Sequence, residues 1–181
     1  MNKILAFDLA TATGWAVADG ARILRLGTEK LATDDEVTAW GKRRLDRRRD
    51  PRIARISKLI QGLVTAESPL RVIVWEDVEF SSGRKQTQLW ASLRTAIWLS
   101  TSPDIPMDCV NVTKLKTFAT GNPQATKTEM MLALAAKYPD QFRIIEHNRK
   151  PFILHLATGH VGDDNAADAA HAALWAAHTY E

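Results

Sequence analysis

One short segment constrains the fold of this chain more than any other: Lys3-Ile4-Leu5-Ala6-Phe7-Asp8. Four consecutive apolar residues without polar alternation fit a strand covered on both faces, as in sheets with helices on either side. An acid then closes the run. A second segment repeats the form, Val72-Ile73-Val74-Trp75-Glu76, so two interior strands each end in a carboxylate. A carboxylate at the rim of a buried sheet is costly unless it is paired, hydrogen-bonded or bound to a cation. One such acid is explained by capping a neighbouring helix; two on separate strands point toward a shared cation.

The elements around these strands follow from period and punctuation. Residues 15–18 read as a second strand and 21–27 as a third, joined by the hairpin signal Asp19-Gly20. The first three strands therefore form an antiparallel meander. Pro51 suits a first helical turn, and Ile53, Ile56, Leu59, Ile60 and Leu63 recur at helical spacing. Residues 71–76 form the fourth strand, 86–100 a helix, 107–110 a fifth strand and 113–119 a short helix. Thr126 and Glu129 have capping-box spacing for a helix reaching about Lys137. An alanine-rich helix begins at about Asp163. Residues 34–50 and 140–162 show no period that assigns them. The order predicts an α/β fold: a mixed five-stranded sheet, three antiparallel strands then parallel α/β, with helices on both faces. At 181 residues, with no repeat or linker, the whole chain (1–181) is expected to be one domain.

The closing helix supplies further acids. Asp164 and Asp168 are four apart and share a helix face, with Asn165 three before Asp168. Alanines at 166, 167, 169, 170, 172 and 173 are small enough to let this helix approach the sheet closely. Asp163 and Asp164 suit the positive end of the helix dipole, but Asp168 lies beyond the first turn. Magnesium and manganese take oxygen ligands. Two such ions about 3.5–4 Å apart can activate water and stabilise the leaving oxygen of a phosphodiester. Three or four carboxylates on different elements meet that need without a nucleophilic Ser or Cys.

Charge and composition narrow the setting. Net charge is +3, yet residues 42–55 hold eight Lys/Arg against two Asp, a block suited to phosphate backbones or to a solvated surface. The single cysteine, Cys109, excludes an internal disulfide and a zinc site built on cysteine pairs. No apolar run nears the roughly 20 residues that span a bilayer, and the N-terminus lacks the form of a signal peptide. A cytoplasmic protein without membrane association is expected.

Four motifs together resemble the RuvC-type Holliday junction resolvases of the RNase H-like superfamily. Phe7-Asp8-Leu9-Ala10-Thr11-Ala12-Thr13-Gly14-Trp15-Ala16 resembles their first-strand aspartate and Thr-Gly turn; Val74-Trp75-Glu76 resembles their second motif. Asp164-Asn165-Ala166-Ala167-Asp168-Ala169 resembles their acid-bearing last helix. The stretch from Lys116 through Thr120-Gly121-Asn122 to Lys127 resembles the segment whose two lysines assist DNA binding and catalysis. The resemblance runs from residue 4 to about 176. It implies an RNase H-like fold, a homodimer, magnesium dependence and cleavage of branched DNA. It carries the metal-ligand role to Asp8, Glu76, Asp164 and Asp168, and the lysine role to Lys116 and Lys127, with Lys114 nearby. Relatives place an acid or histidine three residues before the last aspartate, where this chain has Asn165; Asp164 is therefore taken as fourth ligand, with Asn165 and Asp163 as alternatives. This variant and the short length resemble phage or prophage versions.

The segment after Glu76 contacts DNA and the dimer partner in that family. Arg84, Lys85 and Gln86 are candidates there, with Phe80 as an apolar wedge, whereas Trp90 reads as core. Arg47, Arg48 and Arg49 of the basic block could follow a DNA arm, and His160 could move a proton. The expected activity is a metal-dependent endonuclease holding two Mg²⁺ per site, Mn²⁺ substituting, that resolves four-way junctions by paired nicks from a C₂ dimer. A broader nuclease acting on flaps, forks or RNA–DNA hybrids is the nearest rival. A non-catalytic DNA-binding module is a rival of another class. A sugar-kinase or actin-like fragment would need a second domain to close over ATP.

Overall fold

The structure is a computed structural model describing residues 3–42, 50–77 and 84–180. Its frame is a five-stranded sheet formed by β1 (Lys3–Asp8), β2 (Ala12–Asp19), β3 (Arg22–Lys30), β4 (Leu70–Asp77) and β5 (Met107–Asn111). The strand order is β3-β2-β1-β4-β5. β1, β2 and β3 pair antiparallel, while β4 joins β1 and β5 joins β4 in parallel. This is the mixed sheet expected from the strand order. The first hairpin turns through Gly20, whose φ of 54° is the left-handed conformation that glycine tolerates.

Side-chain alternation explains the unbroken apolar runs. Ile4 and Ala6 of β1, with Val72 and Val74 of β4, join one core; Leu5 and Phe7, with Ile73 and Trp75, join another on the opposite face. The first core is covered by α4 (Val112–Thr120), α5 (Lys127–Lys137) and α6 (Asp164–Thr179); the second by α2 (Pro51–Glu67) and α3 (Arg84–Ser100). A strand covered twice has no polar face to show.

Local signals set the helix ends. Asp50 caps α2 ahead of Pro51, and Thr126 and Glu129 form the reciprocal capping box of α5. Two stretches without a readable period, 34–41 and 142–162, also form regular elements. A short helix, α1 (Asp34–Gly41), buries no residue, so it carries no apolar stripe. Residues 142–162 form a second, three-stranded antiparallel sheet of β6 (Phe142–His147), β7 (Lys150–His155) and β8 (His160–Gly162).

Contact between α6 and the sheet is unusually close at one point. Gly14 of β2 lies opposite Asp8 in the register. A Cβ placed on Gly14 would sit 1.9 Å from the carbonyl oxygen of Asn165 and 2.9 Å from the nitrogen of Ala166. Both are backbone atoms of the first turn of α6 and cannot rotate aside. Gly14→Ala should therefore destabilise the fold by about 1–3 kcal/mol or more, as overpacking does. Gly62→Ala, in α2 with nothing within 4 Å, should instead stabilise by about 0.5–1 kcal/mol through helix propensity. Urea denaturation of both variants tests this; a Gly14→Ala protein as stable as the parent would refute the tight α6 contact.

Candidate metal centre

Asp8 and Glu76 follow the paired residues Phe7 and Trp75 at the C-terminal ends of parallel neighbours. By alternation both carboxylates share a face with Ala6 and Val74, the face covered by α6. Asp168 projects from the second turn of that helix. One oxygen from each of Asp8, Glu76 and Asp168 can be chosen so that all lie within 4.8 Å of one another. Among the described residues this is the one group of acids, histidines or cysteines placed to share an ion.

The electrostatics mark the group as incomplete by itself. Burial, then the charges of Glu76 and Asp168, push the Asp8 carboxyl well above the usual carboxylate range. Burial also raises Glu76, against the opposing fields of Lys116 and Lys127 and a hydrogen bond from Asp8. Asp168 is pushed up to about 7, by burial first and then by Glu76. Its Oδ1 is buried without a hydrogen-bond partner among the described residues. A buried, unpartnered carboxylate oxygen facing two other acids is the arrangement a hard divalent cation satisfies, and the all-oxygen donor set suits magnesium or manganese.

The three acids at the start of α6 divide their roles. Asp163 is the N-cap: its Oδ1 accepts from the backbone nitrogens of Asn165 and Ala166 at 3.1 and 3.2 Å, and from the hydroxyl of Thr28. Asp164 is held by the ammonium of Lys127 and stands outside the three-acid group, though its charge reaches Asp8 and Asp168. Asn165 supplies backbone contact with Gly14. Lys116 of α4 and Lys127 of α5 both act on the cluster electrostatically. Burial works against the charge of Lys127, but its hydrogen bond to Asp164 and the nearby acids raise its pKa overall.

Other candidates sit elsewhere. Lys114 lies over the Trp175 ring, 5.1 Å from its centroid. Gln86 is exposed on α3, and Trp90 lines a small recess with Leu9, Glu76, Asp77 and Arg94. His160 is exposed on β8, while His155 and His171 are buried and bond the carbonyl oxygens of Ile23 and Met130. Arg47, Arg48, Arg49 and Phe80, and the side chains of Arg84 and Lys85, lie outside the described residues. Two cations of the basic block are engaged internally. Arg52 is buried, chelates Asp50 and donates to Thr11 Oγ1 at 2.9 Å, and Arg55 pairs with Glu36 at 2.6 Å. Arg52 thus braces the loop after Asp8, a role that its place in a charge run conceals. It also lines a cleft of about 710 Å³ with Ala10, Thr11, Trp40, Gln86 and Gln88.

The raised pKa of Asp168 predicts a pH signature. Unfolded, its carboxyl ionises near pH 4; folded, at about 7. Between these values the folded state holds the extra proton, so this group's contribution to stability falls as pH rises. In metal-free buffer, Asp168→Asn should gain stability relative to the parent from about pH 4 to pH 7 and level off above. Magnesium should raise the melting temperature of the parent more at pH 8 than at pH 5, and that of the variant little. Superimposable pH and magnesium profiles for the two proteins would contradict this electrostatic picture.

Comparison with known proteins agrees with the geometry at the level of fold. No protein-family model matches the chain, and no curated protein matches its sequence. Among solved structures, Thermus thermophilus RuvC superposes with a TM-score of 0.62 at 16% identity, over 98% of this chain and 93% of that one. Thermus thermophilus RuvC in complex with a Holliday junction substrate superposes with a TM-score of 0.67 at 16% identity, over 99% and 94%. The mixed sheet, the helices on its two faces and a superposition over nearly all of both chains together give this chain the RNase H-like α/β fold of RuvC.

Proposed function

We propose that this chain is a metal-dependent endonuclease that cuts branched DNA, resolving four-way junctions by paired nicks. The observation that carries the reading is the convergence of Asp8, Glu76 and Asp168 around an unpartnered buried oxygen, with two lysines beside them. The solved neighbour that was captured with a Holliday junction substrate supports the choice of DNA.

The residues divide the work. Asp8, Glu76 and Asp168 would hold the cations, Mg²⁺ or Mn²⁺, with two per site as the working count. Asp164 would join them as a fourth ligand on release from Lys127. Bound there, a divalent cation supplies Lewis-acid chemistry, polarising the phosphodiester and easing the ionisation of water. Lys116 and Lys127 stand where the phosphate's negative charge must be met, and their ammonium groups stabilise charge that builds during hydrolysis. Asp163, accepting from Thr28 of β3, and Gly14 of β2 set the first turn of α6 against the sheet and so keep Asp168 in place.

Gln86 and Lys114 would contact DNA at the flanks, as would Arg84, Lys85, Phe80, Arg47, Arg48 and Arg49. A four-way junction is close to two-fold symmetric, so a homodimer would set two sites for two nicks. Trp98 and Leu99, 55% and 82% exposed at the end of α3, support such a contact. No helix among the described residues is long and apolar enough to cross a membrane. The proposed place of action is the cytoplasm, of a bacterial cell or a phage-infected host.

A labelled immobile four-way junction tests the reading directly. The intact chain should make symmetric paired nicks with Mg²⁺ and none with EDTA. Asp8→Asn should keep junction binding and lower cutting by at least about 10²-fold. Lys116→Ala or Lys127→Ala should also slow cutting at saturating DNA. Equal cutting of flaps and forks would move the assignment to a broader structure-specific nuclease. Undiminished cutting by Asp8→Asn would overturn the site.

A further inference from the structure

The β6–β7 hairpin has a place in the fold that the nuclease reading leaves unused. Its position follows from register. His155 pairs with Phe142 and His160, and its ring bonds the carbonyl of Ile23 at the start of β3. Further along, Gly162 pairs with Ile153 and leads into Asp163, which accepts the hydroxyl of Thr28 near the end of β3. The hairpin therefore runs alongside β3 toward the edge of the main sheet where β1 ends at Asp8. Three more pairs, Phe152 with Ile145, Pro151 with Glu146 and Lys150 with His147, extend past the last β8 pair. The tip thus overhangs Gly162 by roughly 10 Å on the catalytic edge. β3 lies two strands from β1, a lateral step of roughly 10 Å. β8 stands between β3 and β7 and adds roughly 5–10 Å, so an arm leading from a strand bound at the acid cluster would reach the hairpin within about five or six phosphate steps of roughly 3.4 Å.

The chemistry of this finger is cationic and aromatic. Arg143, His147, Arg149 and Lys150 are exposed, against one exposed acid, Glu146. No acid among the described residues pairs with Arg143, Arg149 or Lys150, unlike Arg52 and Arg55. On the outward face, alternation sets Arg143, Ile145 and His147 beside Leu154, Phe152 and Lys150, with the His147 ring edge-on to Phe152 at 6.3 Å. The turn is the informative part. Asn148 and Arg149 have φ of 52° and 60°, the two left-handed positions of a tight hairpin turn. Asparagine is suited to the first, and glycine is the preferred residue at the second. Arginine there carries a steric cost that glycine would avoid. A long guanidinium at the apex, kept in an unfavourable backbone conformation and without an acidic partner among the described residues, suits an anionic ligand outside the fold.

We infer that the β6–β7 hairpin is a DNA-binding finger, gripping the phosphate backbone of an arm next to the cut site through Arg143, Arg149 and Lys150. The inference rests on the nuclease reading for the identity of its ligand. It places arm contact on an element separate from the metal-binding acids.

The test uses the 181-residue chain carrying Asp8→Asn, so that DNA stays intact, and a fluorescent four-way junction followed by anisotropy from about 50 to 200 mM salt. Added Arg149→Gly should weaken binding several-fold and lower the log Kd against log salt slope by about one. The same variant should melt at or above the parent temperature, because glycine relieves the turn. Arg143→Ala/Lys150→Ala should weaken binding further and remove about two more from the slope. Unchanged affinity and slope in these variants, with tight binding by the Asp8→Asn parent, would overturn the finger alone. Absence of junction binding by that parent would overturn the finger and the nuclease reading together. Cutting by the chain with Asp8 intact reports on the nuclease reading separately.

Discussion

The closeness of α6 to the sheet governs everything at the edge that carries the acid cluster. Asp8 and Glu76 are neighbours by strand pairing, but Asp168 reaches them only because its helix lies almost on the backbone of β2. Two features allow that. Gly14, opposite Asp8, leaves room for the backbone of Asn165, and the alanines of α6 present a surface of methyl groups to the sheet. Gly162 extends the pattern: a Cβ there would lie 2.7 Å from the Cβ of Ala166. Larger residues along this line would separate helix from sheet and disperse the carboxylates.

That same closeness creates an electrostatic burden. Three acids with oxygens within 4.8 Å of one another cannot all ionise in a half-buried site without a counter-charge. Their raised pKa values express that conflict, and Lys116 and Lys127 relieve it in part. A protein selected for stability alone would replace such a cluster with apolar residues. Its presence in a fold with capped helix ends and two buried apolar cores fits a site tuned to bind positive charge. Glu67, by contrast, is buried with its charge met, accepting from both Lys3 and Arg25.

Much of this was legible in the sequence, for identifiable reasons. Asp8 and Glu76 stood out because each interrupts a strand buried on both faces, and Asp168 because no capping role explains an acid in the second turn among alanines. Thr126 and Glu129 announced their helix through a local motif that depends on no tertiary contact. Other features required three dimensions. Asp163 and Asp164 are adjacent in sequence, so spacing could not tell the cap from the partner of Lys127. α1 buries nothing, so it left no apolar period. The β6–β7 hairpin turns through Asn148-Arg149 rather than Asn-Gly, so its turn signal was silent. Arg52 looked like one surface cation among eight, yet it is buried against Asp50 and Thr11.

The cations separate into those paired with acids of the chain, such as buried Arg52 and exposed Arg55, and those with no acidic partner among the described residues, such as Arg149. That separation has meaning only if the acid cluster is a cation site and the cations around it meet a phosphate backbone. Calorimetric titration of metal-free protein with Mn²⁺ at pH 7, in two buffers of different ionisation enthalpy, measures the point directly. Saturable binding with release of protons is expected, since raised carboxyl pKa values mean protons must leave as the metal enters. Heats indistinguishable from dilution, or binding of equal strength and proton release in Asp8→Asn, would contradict a metal centre at Asp8, Glu76 and Asp168.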